Sequence, residues 1–289
     1  MSGRSTGGRE SFIAAVSEGA LGGWVSGEGG PVLLLHGGPG LSFSYLDGLA
    51  AELEGEFRVA SFQQRGLEPS TREGPFTVAQ AVDDVVSVLD ALEWERPLVV
   101  GHSWGGHLAL RFAAAHPQRV LGSLAVDPIG VVDDGGYAAF GAEIIARTPK
   151  EARQRAQELD DRAMAGQGTI EEALESLHLV WPAYFADPEN VPPMPDLAIS
   201  LEAYSEIVSE MTSGTDRVAT ILANGQVRYA IVAGAASPIP WGQAAQATTE
   251  LSPHAFLEVI PDAGHFIWLE APGRVLAALR RLSHNLATP

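Results

Sequence analysis

A serine between two glycines has the residue types of a nucleophile. The segment reads Gly101-His102-Ser103-Trp104-Gly105, and it lies between an apolar run at residues 97–100 and a helix-like segment that ends before Pro117. A strand, a tight turn and a helix in this order hold the serine oxygen clear of a sheet, where the helix amino terminus favours negative charge. We therefore predict that Ser103 attacks a carbonyl carbon. The alternative is a glycine-rich turn that binds phosphate.

A second glycine-rich segment, residues 36–40 (HGGPG), follows the apolar run at residues 32–35. An attacked carbonyl develops a negative oxygen, which needs backbone amide donors. One donor in this motif is the residue after the nucleophile, Trp104, and the other comes from a loop after an earlier strand. We predict Gly38 as the second donor, with Gly37 as the alternative and as a substrate contact. His36 is expected to pack beneath the loop.

A histidine follows the last predicted strand, in residues 261–266 (PDAGHF). In hydrolases built on a strand–turn–helix serine, the chain order is serine, acid, histidine. His265 is therefore the predicted general base. The other histidines lie in no segment that resembles a catalytic motif partner and are expected in packing or surface positions: His107, His116, His178, His254 and His284. His102, inside the serine motif, is expected to point away from the reacting side.

The carboxylate that should orient this base is missing from its usual place. The loop after the strand at residues 227–234 reads Ala-Ala-Ser-Pro, so Ser237 stands where an aspartate is expected. Asp127 ends the apolar run after the Ser103 helix, and parallel strands bring such ends to one edge of the sheet. We predict that Asp127 orients His265. A role as a turn or helix-capping residue is the alternative.

Short apolar runs alternate with amphipathic stretches along most of the chain, which predicts an α/β fold with a mostly parallel sheet covered by helices on both faces. Apolar residues at helical spacing predict a helix over residues 77–92, with Thr77 as its N-cap. Residues 12–16 and 21–25 are expected to pair as an antiparallel hairpin at the sheet edge. Further strands are expected at residues 32–35, 58–62, 97–101, 120–126, 227–234 and 256–260, and further helices at 105–116, 243–251 and 272–286.

Residues 131–224, here called the inserted segment, break this alternation. They are rich in Ala, Glu and Arg and are punctuated by prolines at 182, 188, 192, 193 and 195. We predict a helical cap over the carboxyl edge of the sheet, and a core formed by residues 1–130 and 225–289. Trp181 and Tyr184 lie beside this proline-rich turn. They are candidate substrate contacts, and the alternative is that they only pack the interior of the cap.

Composition restricts the functional classes. The 289 residues include 46% hydrophobic and 19% charged residues, which suffices for a core. A net charge of −18 argues against nucleic-acid binding. The absence of cysteine excludes disulfides and thiolate catalysis. We expect no transmembrane helix, no secretory signal in the loose amino-terminal tail, a cytoplasmic location, and no cofactor or metal. The sequence leaves the oligomeric state open.

Four segments, 36–40 (HGGPG), 64–66 (QRG), 101–106 (GHSWGG) and 264–266 (GHF), resemble the proline iminopeptidase branch of the α/β-hydrolase superfamily. The resemblance covers roughly residues 31–128 and 227–286. It implies the α/β-hydrolase fold and a serine exopeptidase that releases amino-terminal proline, with cap carboxylates holding the substrate's amino group. The chain departs from the family pattern at Gln63, Glu68, His102 and Ser237. Some dehalogenase and lipase relatives carry the acid after the earlier strand, as Asp127 does here.

The predicted reaction is acyl transfer from a small amide or ester, or from a short peptide, to water. A peptidase that acts on amino-terminal residues is the first interpretation, and a carboxylesterase or lactonase is the second. Epoxide hydrolases and dehalogenases are disfavoured, because their nucleophile is an aspartate. A ligand-binding protein on a hydrolase scaffold is the non-enzymatic alternative, although a strained serine turn would have no use in it.

Overall fold

The computed structural model describes residues 8–287, so most of the expected amino-terminal tail lies outside the described residues. The strands of this part are β1 (Glu10–Val16), β2 (Gly19–Ser26), β3 (Gly30–Leu35), β4 (Phe57–Phe62), β5 (Leu98–His102), β6 (Gly122–Val126), β7 (Tyr229–Gly234) and β8 (Phe256–Ile260). They form one sheet in the order β1-β2-β4-β3-β5-β6-β7-β8. The pairs β1–β2 and β2–β4 are antiparallel and the others are parallel. The predicted hairpin and parallel sheet are confirmed.

The helices of residues 8–287 are α1 (Asp47–Glu54), α2 (Val78–Ala91), α3 (Trp104–Ala115), α4 (Tyr137–Arg147), α5 (Lys150–Met164), α6 (Ile170–Val180), α7 (Leu201–Glu210), α8 (Thr215–Ala223), α9 (Ala247–Thr249), α10 (Ile267–Glu270) and α11 (Arg274–Ala287). Short 3-10 turns lie at Phe43–Leu46, Pro117–Arg119 and Trp181–Tyr184. The predicted N-cap is confirmed, because Thr77 Oγ1 accepts a hydrogen bond from the Gln80 amide at 3.1 Å. The chain between β6 and β7 is helical, from α4 to α8.

Apolar side chains fill both faces of the sheet. Alternate residues of β3 point to opposite sides, with Leu33 and Leu35 packing beneath α2 and α3, and Val32 and Leu34 packing beneath α1 and α11. Helix α3 is buried along nearly its whole length, which explains why it carries almost no charge. The sheet is therefore a rigid support on which loops at the carboxyl edge are positioned.

One local expectation was wrong in part. The helix expected over residues 243–251 is a π-helical turn at Gly242–Gln246 followed by the three-residue helix α9. Gly130 packs against this turn so closely that a Cβ there would lie 2.5 Å from the Ala244 carbonyl oxygen. Helices α1 and α10 were not predicted. No helix within residues 8–287 is long and apolar enough to span a bilayer.

Candidate active site

Ser103 occupies the tight turn between β5 and α3, with a φ of 56° in the left-handed region that non-glycine residues avoid. Its amide donates to the Val126 carbonyl at 2.9 Å, which fixes the turn to the neighbouring strand. The flanking glycines are required by space. A Cβ on Gly101 would lie 1.9 Å from the Gly105 oxygen, and one on Gly105 would lie 2.3 Å from the Leu35 oxygen. The G-x-S-x-G spacing is thus a packing requirement of the turn.

His265 and Asp127 form a buried pair. His265 Nδ1 lies 2.6 Å from Asp127 Oδ2, and the two side chains are 4% and 1% exposed. Asp127 follows β6 with a φ of 45°, and its amide donates to the Val232 oxygen at 2.7 Å. Since the carboxyl accepts at Nδ1, the other ring nitrogen, Nε2, is free to accept a proton.

The Asp127 carboxyl accepts two further hydrogen bonds, from the Gly234 amide to Oδ1 at 3.0 Å and from Ser237 Oγ to Oδ2 at 2.5 Å. Burial raises the pKa of Asp127, while these donors and the charge of Arg147 act in the opposite direction. Burial lowers the pKa of His265 below its ordinary value of 6.5, so the imidazole is neutral at pH 7. A neutral imidazole is the form that a general base requires.

The loop at residues 36–40 lies beside the serine turn. A Cβ on Gly37 would come within 2.7 Å of Ser103 Cβ. The Gly37 amide donates to Tyr45 Oη at 2.6 Å, so it is already engaged. The amides of Gly38 and Trp104 have no hydrogen-bond partner within residues 8–287. Between these two candidates, the structure thus favours Gly38 over Gly37 as an available donor.

Gln64 ties this loop to the serine helix. Its Nε2 donates to the His36 carbonyl at 2.8 Å, and its Oε1 accepts from the Trp104 indole at 2.9 Å. His36 is fully buried under the loop, as expected, and its Nε2 accepts from the Gln64 amide at 3.0 Å. The QRG segment therefore positions the two free amides relative to each other.

His102 joins the loop to the base. Tyr45 Oη accepts a hydrogen bond from the Gly37 amide and lies 2.9 Å from His102 Nδ1. His102 Nε2 lies 3.0 Å from the His265 carbonyl oxygen. Because that carbonyl only accepts, Nε2 carries the proton and Tyr45 donates to Nδ1. Burial lowers the pKa of His102 well below its usual range, which keeps it neutral. The expectation that His102 points away from the reacting side was wrong, since it lines the same cavity as Ser103.

That cavity has a volume of about 140 Å³ and is lined by Ser103, His265, Gly38 and Trp104 together with mainly apolar and aromatic side chains. No Asp, Glu, Lys or Arg of the described chain lines it. Gly37 does not line it either, whereas Trp181 and Tyr184 both do. We call it the serine cavity.

The two aromatic residues also have packing contacts. Trp181 is 6% exposed, its indole donates to the Pro192 carbonyl at 2.8 Å, and its ring lies 4.8 Å from that of Phe266. The Tyr184 carbonyl accepts the His265 amide at 2.7 Å, and the two rings lie 5.2 Å apart. The inserted segment thus contributes both a cavity wall and a backbone support for the base.

A sequence model of the Alpha/beta hydrolase family matches residues 32–279, and the chain belongs to that family. The fold and the buried histidine–aspartate pair beside a strained serine turn agree with this membership. It is an enzyme of the hydrolase class.

Among particular relatives, Esterase YbfF of Escherichia coli (strain K12) is 28% identical over 87% of this chain and 92% of its own length. Epoxide hydrolase B of Mycobacterium tuberculosis is 35% identical, but the match covers 34% of this chain and only 29% of that protein. The solved structure of proline iminopeptidase from Mycobacterium smegmatis superimposes with a TM-score of 0.68 at 22% identity, over 97% of this chain and 100% of the other. At that identity the structural likeness shows the fold alone.

Proposed function

We propose that this protein is a serine esterase that hydrolyses small esters with apolar groups. Ser103 is the nucleophile, His265 the general base, and Asp127 the carboxylate that orients it. The observation that carries the proposal is the buried Nδ1–carboxyl contact of 2.6 Å, with His265 and Ser103 in the wall of one cavity. The inserted segment acts as a cap over the core of residues 1–130 and 225–289.

The reaction follows from these positions. Nε2 of His265 takes the Ser103 proton as Oγ attacks the ester carbonyl, and Asp127 stabilises the imidazolium that forms. The amides of Gly38 and Trp104 donate to the oxygen of the tetrahedral intermediate. His265 then protonates the leaving alcohol, and water releases the acid by the reverse sequence. The hydrogen bond between Ser103 and His265 is not formed within the described residues; such contacts often tighten only with substrate.

The lining of the serine cavity supports an ester over an amino-terminal peptide. A free substrate amine is charged at pH 7 and needs a carboxylate partner when it is buried. No carboxylate of residues 8–287 lines this cavity, so the amine of a proline substrate would be unpaired beside the scissile bond. The similarity to Esterase YbfF extends over most of both chains, which favours the same interpretation. The esterase thus replaces the aminopeptidase as the first assignment.

The test compares 4-nitrophenyl butanoate with proline 4-nitroanilide, using the wild-type protein, Ser103→Ala and the matched control Ser205→Ala. Ser205 is a half-buried serine that does not line the serine cavity, and its hydroxyl donates to the Glu202 carbonyl. We expect ester hydrolysis to be faster, and Ser103→Ala to lower kcat by about 10⁴-fold or more. A fluorophosphonate should label the wild-type and the control proteins only.

Two results would contradict the proposal. Ester turnover by Ser103→Ala within about tenfold of the wild type, a difference of only ~1.4 kcal/mol, would show that Ser103 is not the nucleophile. A higher kcat/KM for the anilide than for the ester would restore the aminopeptidase assignment.

A further inference from the structure

A second cavity of about 360 Å³ adjoins the serine cavity. Its walls come from α4, α5 and α6 of the inserted segment, and the two cavities share Gly38, Tyr184 and Tyr204 among their lining residues. Its surface is mainly apolar, with Leu159 and Val180 as typical members. We call it the distal cavity. A molecule held at Ser103 can therefore extend past Gly38 into a larger space.

Asp160, on α5, is the one Asp, Glu, Lys or Arg of residues 8–287 that lines either cavity. Its carboxyl has no hydrogen-bond or ion-pair partner within the described chain. The neighbouring Asp161 does not line the cavity, and its carboxyl accepts a hydrogen bond from Gln157 Nε2 at 2.9 Å. Asp160 as a whole residue is exposed, and the partial burial of its carboxyl, followed by the charge of Asp161, raises the pKa of that carboxyl. Within residues 8–287 this carboxylate therefore has no counter-charge.

Three tyrosines, Tyr137, Tyr184 and Tyr204, line both cavities near this carboxyl. Burial raises the pKa of each phenol, and the negative charge of Asp160 raises it further. None of their hydroxyls has a hydrogen-bond partner in the part of the chain that the structure describes, and all three side chains are partly exposed. Hydroxyls without a protein partner at a cavity wall are available to hydrogen-bond a ligand.

We propose that the distal cavity is a subsite for a positively charged amine at the far end of the substrate, with Asp160 as its counter-charge. A carboxylate without a counter-charge in a mainly apolar wall gains from a cation that donates hydrogen bonds to it. The tyrosine rings add their negative faces, and their hydroxyls accept from the same ammonium group. The apolar walls between Ser103 and Asp160 fit a methylene chain. The inference rests on the proposed esterase, and it defines the substrate class as esters with an apolar spacer and a terminal ammonium.

Binding tests the subsite without any turnover. Hexylammonium and 1-hexanol, which differ in the charged end, are titrated calorimetrically into Ser103→Ala protein with Asp160, with Asp160→Asn, or with the control Asp161→Asn. We expect hexylammonium to bind about tenfold or more tightly than hexanol, and Asp160→Asn alone to abolish that difference. Equal affinities for the two compounds, or a preference that survives Asp160→Asn, would overturn the subsite.

Hydrolysis then relates the subsite to the reaction. The ratio of kcat/KM for the 4-nitrophenyl esters of 6-aminohexanoate and heptanoate compares chains of equal length with and without the charge, and shorter and longer pairs locate the best spacer. We expect this ratio to exceed about ten at one length and to fall towards one in Asp160→Asn but not in Asp161→Asn. A ratio that Asp160→Asn leaves unchanged at every length refutes the subsite, while Ser103-dependent heptanoate hydrolysis would leave the esterase intact. Absence of Ser103-dependent hydrolysis refutes the esterase, and the titration still decides the subsite.

Discussion

Replacing Asp127 by asparagine should force the base into the wrong tautomer, because its surroundings fix the amide orientation. Oδ1 accepts from the Gly234 amide at 3.0 Å, so the asparagine oxygen must face that donor. Turning the amide over would place the asparagine NH₂ against the buried N–H of Gly234, which costs about 1–3 kcal/mol. The new NH₂ therefore points at Ser237 Oγ and His265 Nδ1. The ring can accept from it only by moving its proton to Nε2, where it blocks proton transfer from Ser103.

The expected loss follows from this change of tautomer. The same substitution in a serine protease lowers kcat by about 10⁴-fold, equivalent to ~5.4 kcal/mol of transition-state stabilisation. We expect a loss of that order in kcat for 4-nitrophenyl butanoate with little change in KM. The control is Asp262→Asn, which alters an exposed aspartate three positions from the base and should leave kcat unchanged. Retention of more than about a tenth of kcat, a loss below ~1.4 kcal/mol, would make Asp127 a turn residue and refute the triad.

Ser237→Asp sharpens the same test. Ser237 Oγ lies 2.5 Å from Asp127 Oδ2, so an aspartate at 237 brings a second carboxyl to the same ring nitrogen. In the wild-type background the two like charges repel, and we expect lower activity. Added to Asp127→Asn, the same change should recover part of kcat. The two substitutions would then be strongly non-additive, as expected for groups that share one partner. A double variant no faster than Asp127→Asn would show that position 237 cannot replace the acid.

Two further predictions concern groups around the site. Tyr45→Phe removes the hydroxyl between a backbone amide and His102, so we expect the free energy of unfolding to fall by about 1–3 kcal/mol in urea denaturation and kcat to fall as well. The control Tyr229→Phe, which removes a hydrogen bond remote from the serine cavity, should lower stability and leave kcat unchanged. If Tyr45→Phe also left kcat unchanged, the link from Tyr45 through His102 to His265 would be refuted. Burial lowers the pKa of His36 and of His107 from 6.5 to about 4. Between pH 6.5 and pH 4 both histidines are therefore protonated in the unfolded chain and neutral in the folded chain. Stability should therefore fall from pH 6.5 towards pH 4 by up to about 1.4 kcal/mol per pH unit for each histidine, and a flat profile would contradict their burial as neutral rings.

The parts of the fold that the sequence predicted have strong local signals. The strands of the sheet are short apolar runs, and α2 has both a helical apolar period and a capping threonine. Helix α1 lacks such signals, since its N-cap, Leu46, makes no side-chain hydrogen bond and only Leu49, Ala50 and Leu53 of its 8 residues are buried. Its position is set by packing against the sheet. At residues 242–246 periodicity predicted a regular helix, whereas the structure has a π-helical turn. Gly130 packs closely against the Ala244 carbonyl of this turn, a tertiary contact that periodicity does not show.

At the site, the sequence predicted those residues whose positions follow from the order of the strands in the sheet. Asp127 and His265 each follow a parallel strand at its carboxyl end, so their proximity is a consequence of topology. Their catalytic roles, like that of Ser103, stay predictions. The bridging role of His102 was missed because its partners are 57 and 163 positions away in the chain, at Tyr45 and at the His265 carbonyl. A histidine inside the G-x-S-x-G motif was the available signal, but only the folded loops show what it contacts.

Contacts of the inserted segment with the base link substrate selection to catalysis. The Tyr184 carbonyl holds the His265 amide at 2.7 Å, and Gly264 permits this approach because a Cβ there would lie 2.3 Å from the same oxygen. The Tyr184 ring lines both cavities, so its side chain contacts the space for substrate while its backbone supports the base. On the other side, the Ser200 amide donates to the Gly40 carbonyl at 2.8 Å, beside the candidate oxyanion donors. A displacement of the inserted segment therefore moves the base and the oxyanion loop together with the walls that select the substrate.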